Sequence, residues 1–405
     1  VFLADRILPA LRSPLAVSVY VPTLLLSLAQ GLLIAVLPLY AASFGVGYGL
    51  VGLATSATAI GTLVTDVPAG AVLGRFGMRA AMIAGSGLVT VSTLALVWSE
   101  QFPGLVALRF LAGIGAAMWA ISRHAYIAEA IPVQQRGQAL STFGGINRLG
   151  IFGGPALGGI LADVAGINAT FVLSAALSGV ALVLAALLLK PLPASAAPTR
   201  AMHRWRLVWR GLRQNARDLT AASVAQTLGQ IIRAGRFLII PLWGAEQLGL
   251  DAAQVGLIVT AGAILDVSMF IPAGMLMDRF GRKVAAVPSF ALMAFGIGLI
   301  PFTHDFVTLL LAAMLVGLGN GLGSGLMMTL GADLAPPGAT GEFLGVWRLI
   351  GDVGAVAGPL MVGIVAAAVG LSGGAWMLSL AGWLAVVTLA GLVRETRVRP
   401  LDDRG

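Results

Sequence analysis

The sequence predicts an all-α membrane protein, with twelve transmembrane helices in two pseudo-symmetric six-helix halves. Three observations lead there. Of 405 residues, 58% are hydrophobic and 10% charged, and the mean hydropathy of +0.94 lies far above that of a soluble domain. Apolar stretches of about 20 residues, long enough to cross a bilayer, recur along the whole chain. The chain also repeats itself at one constant offset, which makes its second part a copy of its first.

The twelve apolar stretches lie near 17–40, 50–73, 80–98, 104–122, 139–161, 169–189, 220–243, 254–277, 284–301, 306–328, 342–366 and 375–393. With the start of the chain inside, 20 of the 25 Lys and Arg fall on cytoplasmic segments, 5 within helices and none on the six outer loops. That is the positive-inside pattern. The outer loops carry Glu100, Asp163, Glu246, Asp251 and Asp305 instead. The net charge of +8 therefore reports topology, with no call for a nucleic-acid partner. Both termini are expected in the cytoplasm and the protein in a bacterial inner membrane. Residues 1–16 lack a cleavable signal pattern, because the apolar stretch that follows is too long and has no small-residue cleavage site behind it.

The repeat runs at 204 residues without a gap. Val51, Gly52 and Leu53 match Val255, Gly256 and Leu257; Pro68, Ala69 and Gly70 match Pro272, Ala273 and Gly274. Arg75, Phe76 and Gly77 match Arg279, Phe280 and Gly281, and Gly154, Pro155 and Gly159 match Gly358, Pro359 and Gly363. The division is 1–189, a connection at 190–219, and 220–405. The connection opens Pro- and Ala-rich, as a flexible spacer does. It continues with Met202, Trp205, Trp209 and Leu212 at helical spacing among Arg204, Arg206, Arg210, Arg213 and Arg217. This reads as an amphipathic helix on the anionic inner leaflet; a solvated linker or a partner-binding helix has the same pattern.

Enzyme chemistry finds no foothold. Cysteine is absent, and His124, His203 and His304 lie far apart and outside the apolar stretches, so neither a metal site nor a cofactor is expected. No pair of carboxylates stands at catalytic spacing near a membrane surface.

The fifth stretch contains GIFGGPALGG, residues 150–159. Gly150, Gly154 and Gly158 form one helical stripe on which a neighbouring helix can approach backbone to backbone, and Pro155 adds a bend. Simple packing accounts for such residues too, since Gly and Pro are common in membrane helices.

With these motifs the chain resembles the major facilitator superfamily, and within it the twelve-helix drug:proton antiporters. Gly150, Gly154, Pro155, Gly158 and Gly159 copy the antiporter pattern G-x-x-x-G-P-x-x-G-G. Gly274, Asp278, Arg279, Gly281, Arg282 and Lys283 copy the family loop motif G-x-x-x-D-R-x-G-R-R; its first copy keeps Gly70, Arg75, Gly77 and Arg79 but has Gly74 for the acid and Met78 for a basic residue. Arg109 with Gly113 is similar to the family's R-x-x-x-G. The resemblance implies that the motif acid locks the inner faces together, and that the lock is weaker at Gly74. It also implies a cavity lined by helices 1, 4, 7 and 10, hence by Gln30, Trp119, Gln226, Gln230, Arg233 and Asn320.

Eight ionisable residues fall within the apolar stretches: Asp66, Arg109, Arg148, Arg233, Arg236, Asp266, Arg348 and Asp352. Each is costly there and is a functional hypothesis, although a static ion pair would retain it as well. The resemblance sets helix 2 against helix 11 and helix 5 against helix 8. Asp66 and Arg348 then both lie ~12 Å from the inner edge, and Arg148 and Asp266 both ~18 Å. Each pair is placed to meet, with Asp352 a spare partner and Arg109 the next proton-coupling candidate. Five Arg against three Asp favour anionic or zwitterionic amphiphiles, and the first stretch has no acid. The expected function is proton-coupled efflux of a small amphipathic compound or drug by alternating access. Its partners are a small-molecule substrate, protons and membrane lipids, and the chain is a monomer. A uniporter, a metabolite importer and a lipid flippase are the alternatives.

Overall fold

A computed structural model describes residues 16–130, 136–190, 216–336 and 339–395. The amphipathic segment expected in the connection and both chain ends lie outside the described residues.

A π-helical turn at Ala16–Tyr20 leads into α1 (Val21–Ala42). There follow α2 (Tyr48–Phe76), α3 (Met78–Ala95), α4 (Phe102–Ala130), α5 (Arg136–Ala165), α6 (Ile167–Leu188) and α7 (Ala216–Gln247). Next, α8 consists of Ala252–Ser268 and Phe270–Phe280, bent by 40° at the break, and α9 is Arg282–Leu299. Then α10 consists of Phe306–Leu322 and Leu326–Leu334, and a last stretch runs Thr340–Gly391. Gly370 interrupts that stretch with φ 84° and ψ 170°, dividing it into α11 (340–369) and α12 (371–391). No strand occurs among the described residues. Helices satisfy their own backbone, which a lipid surround requires.

Among the described residues, eight helical stretches are long and apolar enough to span a bilayer, or nine with the bent pair, α11 and α12 together counting once. Neither α5 nor α7 is among them; α7 carries Arg217, Asp218, Arg233 and Arg236 within its length. The sequence ends its fourth apolar stretch at 122, but α4 continues to Ala130. Arg123 is consequently buried in the structure, its guanidinium 3.8 Å from the Phe143 ring centre.

The repeat is written into the backbone. Seven glycines among the described residues have positive φ, and six form three pairs 204 apart: Gly45 with Gly249, Gly77 with Gly281, Gly166 with Gly370. They sit at helix junctions. Packing repeats as well: α1–α5, α2–α4, α3–α4, α1–α6 and α3–α6 recur as α7–α11, α8–α10, α9–α10, α7–α12 and α9–α12. Even single hydrogen bonds recur. Arg79 Nη2 donates to the Ala186 carbonyl at 2.8 Å, and Lys283 Nζ to the Ala390 carbonyl at 2.9 Å, each residue 204 beyond its counterpart.

Two further extensive contacts, α2–α11 and α5–α8, join the two sets of helices. Near the α1–α2 turn both are backbone on backbone: Gly52 rests on Pro359 and Gly363, while Gly159 and Pro155 rest on Ala252 and Gly256. These residues too exchange under the 204-residue shift. Further along, Ser56 Oγ donates to the Val356 carbonyl and the Ala156 N–H to Thr260 Oγ1, each at 2.9 Å. The stripe Gly150, Gly154 and Gly158 faces α1 instead, against Ser27, Gly31 and Leu32.

Candidate functional site: buried charges and two cavities

Both contacts between the helix sets end in partly buried charge. On α2–α11, Arg348 Nε lies 4.0 Å from Asp66 Oδ2 and 3.6 Å from Asp352 Oδ2, one turn along its own helix. Both carboxyl groups thus face one guanidinium, and Asp66 Oδ1 and Asp352 Oδ2 have no hydrogen-bond partner among the described residues. From α4, Arg123 and the His124 ring lie close to Arg348. The His124 ring meets the Ala120 carbonyl at 2.6 Å and packs edge-on to Phe143.

On α5–α8, Arg148 Nη1 lies 3.9 Å from Asp266 Oδ1, and Arg236 Nη2 of α7 lies 3.6 Å from Oδ2. Asn320 of α10 donates to the same Oδ2 at 2.5 Å. Arg233, one turn below Arg236, donates to the Gly323 carbonyl at 3.0 Å and lies over Phe290. One carboxylate on α8 thus draws side chains from three other helices.

A cavity of about 330 Å³ opens beside this second group, between α1, α5, α7, α8 and α10. A volume of this order suits a small organic molecule. A second cavity of about 270 Å³ runs inside α1–α6, lined by Gln30, Thr62, Arg109, Trp119 and Arg123 among others. Arg109 is buried, and its Nε has no hydrogen-bond partner among the described residues. No carboxylate lines that cavity.

The α8–α9 turn is built on Gly281, whose φ of 103° and ψ of 169° suit glycine alone. A Cβ there would also fall 2.7 Å from the Glu395 carboxylate, which accepts from the N–H groups of Arg282 and Lys283 at 2.9 and 3.0 Å. Arg282 Nε donates to Asp333 at the end of α10 at 3.0 Å, and its Nη1 lies 3.9 Å from Asp278, which is 85% exposed. Arg279 and Gly274 lie on the helical segment that leads into this turn; a Cβ on Gly274 would meet open space.

A model of the Major Facilitator Superfamily matches residues 20–232 and 223–404, nearly the whole chain. The chain belongs to the major facilitator superfamily. Its members are transporters rather than enzymes; they bind small molecules, often together with protons. It is 22% identical over 355 residues to an MFS-type transporter of Methanocaldococcus jannaschii, across 87% of this chain and 92% of that one. It is 24% identical over 347 residues to Multidrug resistance protein 1 of Bacillus subtilis, across 84% and 86%. Among solved structures, a D-xylose-proton symporter matches with a TM-score of 0.77 at 16% identity, covering 95% of this chain and 99% of that one. That last likeness is one of fold alone.

Within this major facilitator fold the residues named from sequence separate into groups. Asp66, Arg348 and Asp352 meet, as do Arg148 and Asp266. Of the six expected lining residues, Arg233 and Asn320 join the Asp266 group, whereas Gln30 and Trp119 line the cavity inside α1–α6. Gln226 and Gln230 lie against Gly351 and Gly354 of α11. Sequence reasoning left Arg236 without a partner and put Arg123 on an inner loop. Counting depth along a helix finds a residue's level but not its face, and Arg123 follows directly on an apolar run.

Proposed function

We propose that the protein is a secondary active transporter that exports a small amphipathic compound in exchange for protons. Two six-helix halves, residues 1–189 and 220–405, cross a bacterial inner membrane twelve times and alternate access to the cavity between them. Both termini and the connection are cytoplasmic, and the chain works as a monomer.

The observation that carries this reading is the Asp66–Arg348–Asp352 group bridging α2 and α11. Two carboxyl groups facing one guanidinium hold either one proton or one uncompensated charge, and an uncompensated charge is costly in a low-dielectric contact. Parting α2 from α11 takes Asp66 away from Arg348 and changes that balance. Proton occupancy and opening are thereby linked. Arg123 and His124, facing Arg348 from α4, belong to the same balance. Arg148 with Asp266 bridges the other contact at the same stage of closure. The glycine stripe shared with the antiporters supports export, and likeness to a multidrug resistance protein supports an amphipathic cargo.

The test uses purified protein in liposomes, with a panel of amphipathic amines, carboxylates and neutral compounds and an imposed pH gradient. Asp66→Asn should retain counterflow and lose gradient-driven accumulation. Full gradient-driven transport by both Asp66→Asn and Asp352→Asn would remove this group from the coupling.

A further inference from the structure

Charge around Asp266 does not balance. Arg148, Arg233 and Arg236 gather at this one carboxylate, leaving an excess of two positive charges. At 3.9 and 3.6 Å, the approaches of Arg148 and Arg236 exceed the roughly 2.7–2.9 Å of a closed charge-assisted hydrogen bond. Arg148 and Arg236 are ion-paired with Asp266 at distances longer than a closed hydrogen bond. Several polar atoms here are buried without a hydrogen-bond partner among the described residues: Nε of Arg233, Nε of Arg236 and Oδ1 of Asp266. A static strut between helices would need one base for one acid. Three bases around one partly buried acid are stable when a further anion is supplied.

Space for that anion adjoins the group. The cavity of about 330 Å³ has Arg148, Arg236 and Asp266 at its polar end, and its body is walled by Ile34, Phe152, Phe237, Ile240, Val259 and Val316. An apolar pocket with convergent cationic donors at one end selects an acid on a hydrophobic frame. A cation would have to approach past two guanidiniums.

We propose that this cavity takes a small amphipathic organic anion, a carboxylate or sulfonate on an apolar body, whose acid group seats between Arg148 and Arg236 in place of Asp266. Asp266 is the resident surrogate that holds the arginines together while the pocket is empty. The inference names the cargo class of the transport reading above and rests on it for its biological meaning, but the binding itself requires no gradient.

Three probes of one shape and different charge provide the test: 1-naphthalenesulfonate, 1-naphthalenesulfonamide and 1-naphthyltrimethylammonium, titrated calorimetrically against the purified full chain in detergent. The sulfonate should bind at least tenfold tighter than the other two, as an ionic hydrogen-bond pair implies. Arg148→Gln and Arg236→Gln should each weaken it about tenfold or more, while Arg394→Gln, an equal loss of charge at an exposed position, should leave it unchanged. Asp266→Asn removes the internal competitor and should strengthen sulfonate binding, a gain that a misfolded variant cannot produce. Competition by phosphatidylglycerol would identify the anion as a lipid headgroup, and its absence as a soluble acid; both keep the anion. Equal or tighter binding of the ammonium probe, unchanged affinity in both arginine variants, or weaker binding in Asp266→Asn would overturn the proposal. Failure here leaves proton coupling at Asp66 standing, and failure there leaves this pocket standing.

Discussion

Gly52 is the place where a single methyl group should shift the conformation of the whole molecule. A Cβ at this position would lie 2.5 Å from the Pro359 carbonyl oxygen and 3.2 Å from Gly363 Cα, both backbone atoms that no rotamer change can move. An ordinary carbon–oxygen contact needs about 3.3 Å, so Gly52→Ala forces α2 and α11 apart by roughly 0.8 Å. Overpacking of this kind costs about 1–3 kcal/mol. Charged against the state in which this contact is closed, it changes the open-to-closed ratio roughly 5- to 150-fold. The cysteine-free chain offers a clean reporter: Thr260→Cys on the other contact, where Thr260 Oγ1 accepts from Ala156 at 2.9 Å. Labelling with an impermeant maleimide from the side of the α1–α2 turn should accelerate by that factor when Gly52→Ala is added. A folded Gly52→Ala protein that labels at the parent rate would refute the idea that the two contacts open together.

Two glycines of the α5 stripe should behave differently, because Gly154 faces α1 and Gly159 faces α8. Gly154→Leu should lower the melting temperature in detergent through about 1–3 kcal/mol of overpacking, whereas Gly159→Leu should mainly raise Thr260→Cys labelling. Equal melting losses would contradict the assignment. Gly281→Ala should destabilise by about 1–3 kcal/mol for its backbone region, while Gly274→Ala, in open helical space, should be neutral or stabilising by about 0.5–1 kcal/mol; thermal melts distinguish them. Single cysteines at Glu100 and Gly341 should react with impermeant reagents from opposite faces of a sealed vesicle, Gly341→Cys from the cytoplasmic one. Labelling of both from one face would overturn the proposed topology.

Much of this was legible because it depends on level and spacing. Small residues at a fixed interval predict close backbone approach whatever the rest of the sequence, and the stripe Gly150, Gly154 and Gly158 does meet α1 at Ser27, Gly31 and Leu32. Counting 1.5 Å per residue from the inner edge brought Asp66 level with Arg348 and Arg148 level with Asp266. The facing direction of a helix is set by its neighbours and escapes such counting. Hence Arg236 and Asn320, which complete the Asp266 group, were not matched with it, and Gln30 and Gln226 were assigned to one cavity although they occupy different places. Hydropathy also misplaces a charge that follows directly on an apolar run. It ended the fourth stretch before Arg123, whose positive group is sheltered by Phe143 and faces Arg348.

The hydrogen bonds from Arg79 to Ala186 and from Lys283 to Ala390 each tie the start of a third helix to the end of a sixth. One donor is a guanidinium and the other an ammonium, so what persists is a cation meeting the carbonyl-rich end of a helix, where the backbone dipole welcomes it. Each run of six helices is thereby fastened to itself, like a ring with a clasp. On the proposed division the protein is a dimer translated as one chain. Its two parts should assemble when made as separate polypeptides, and the order in which they are encoded should matter little.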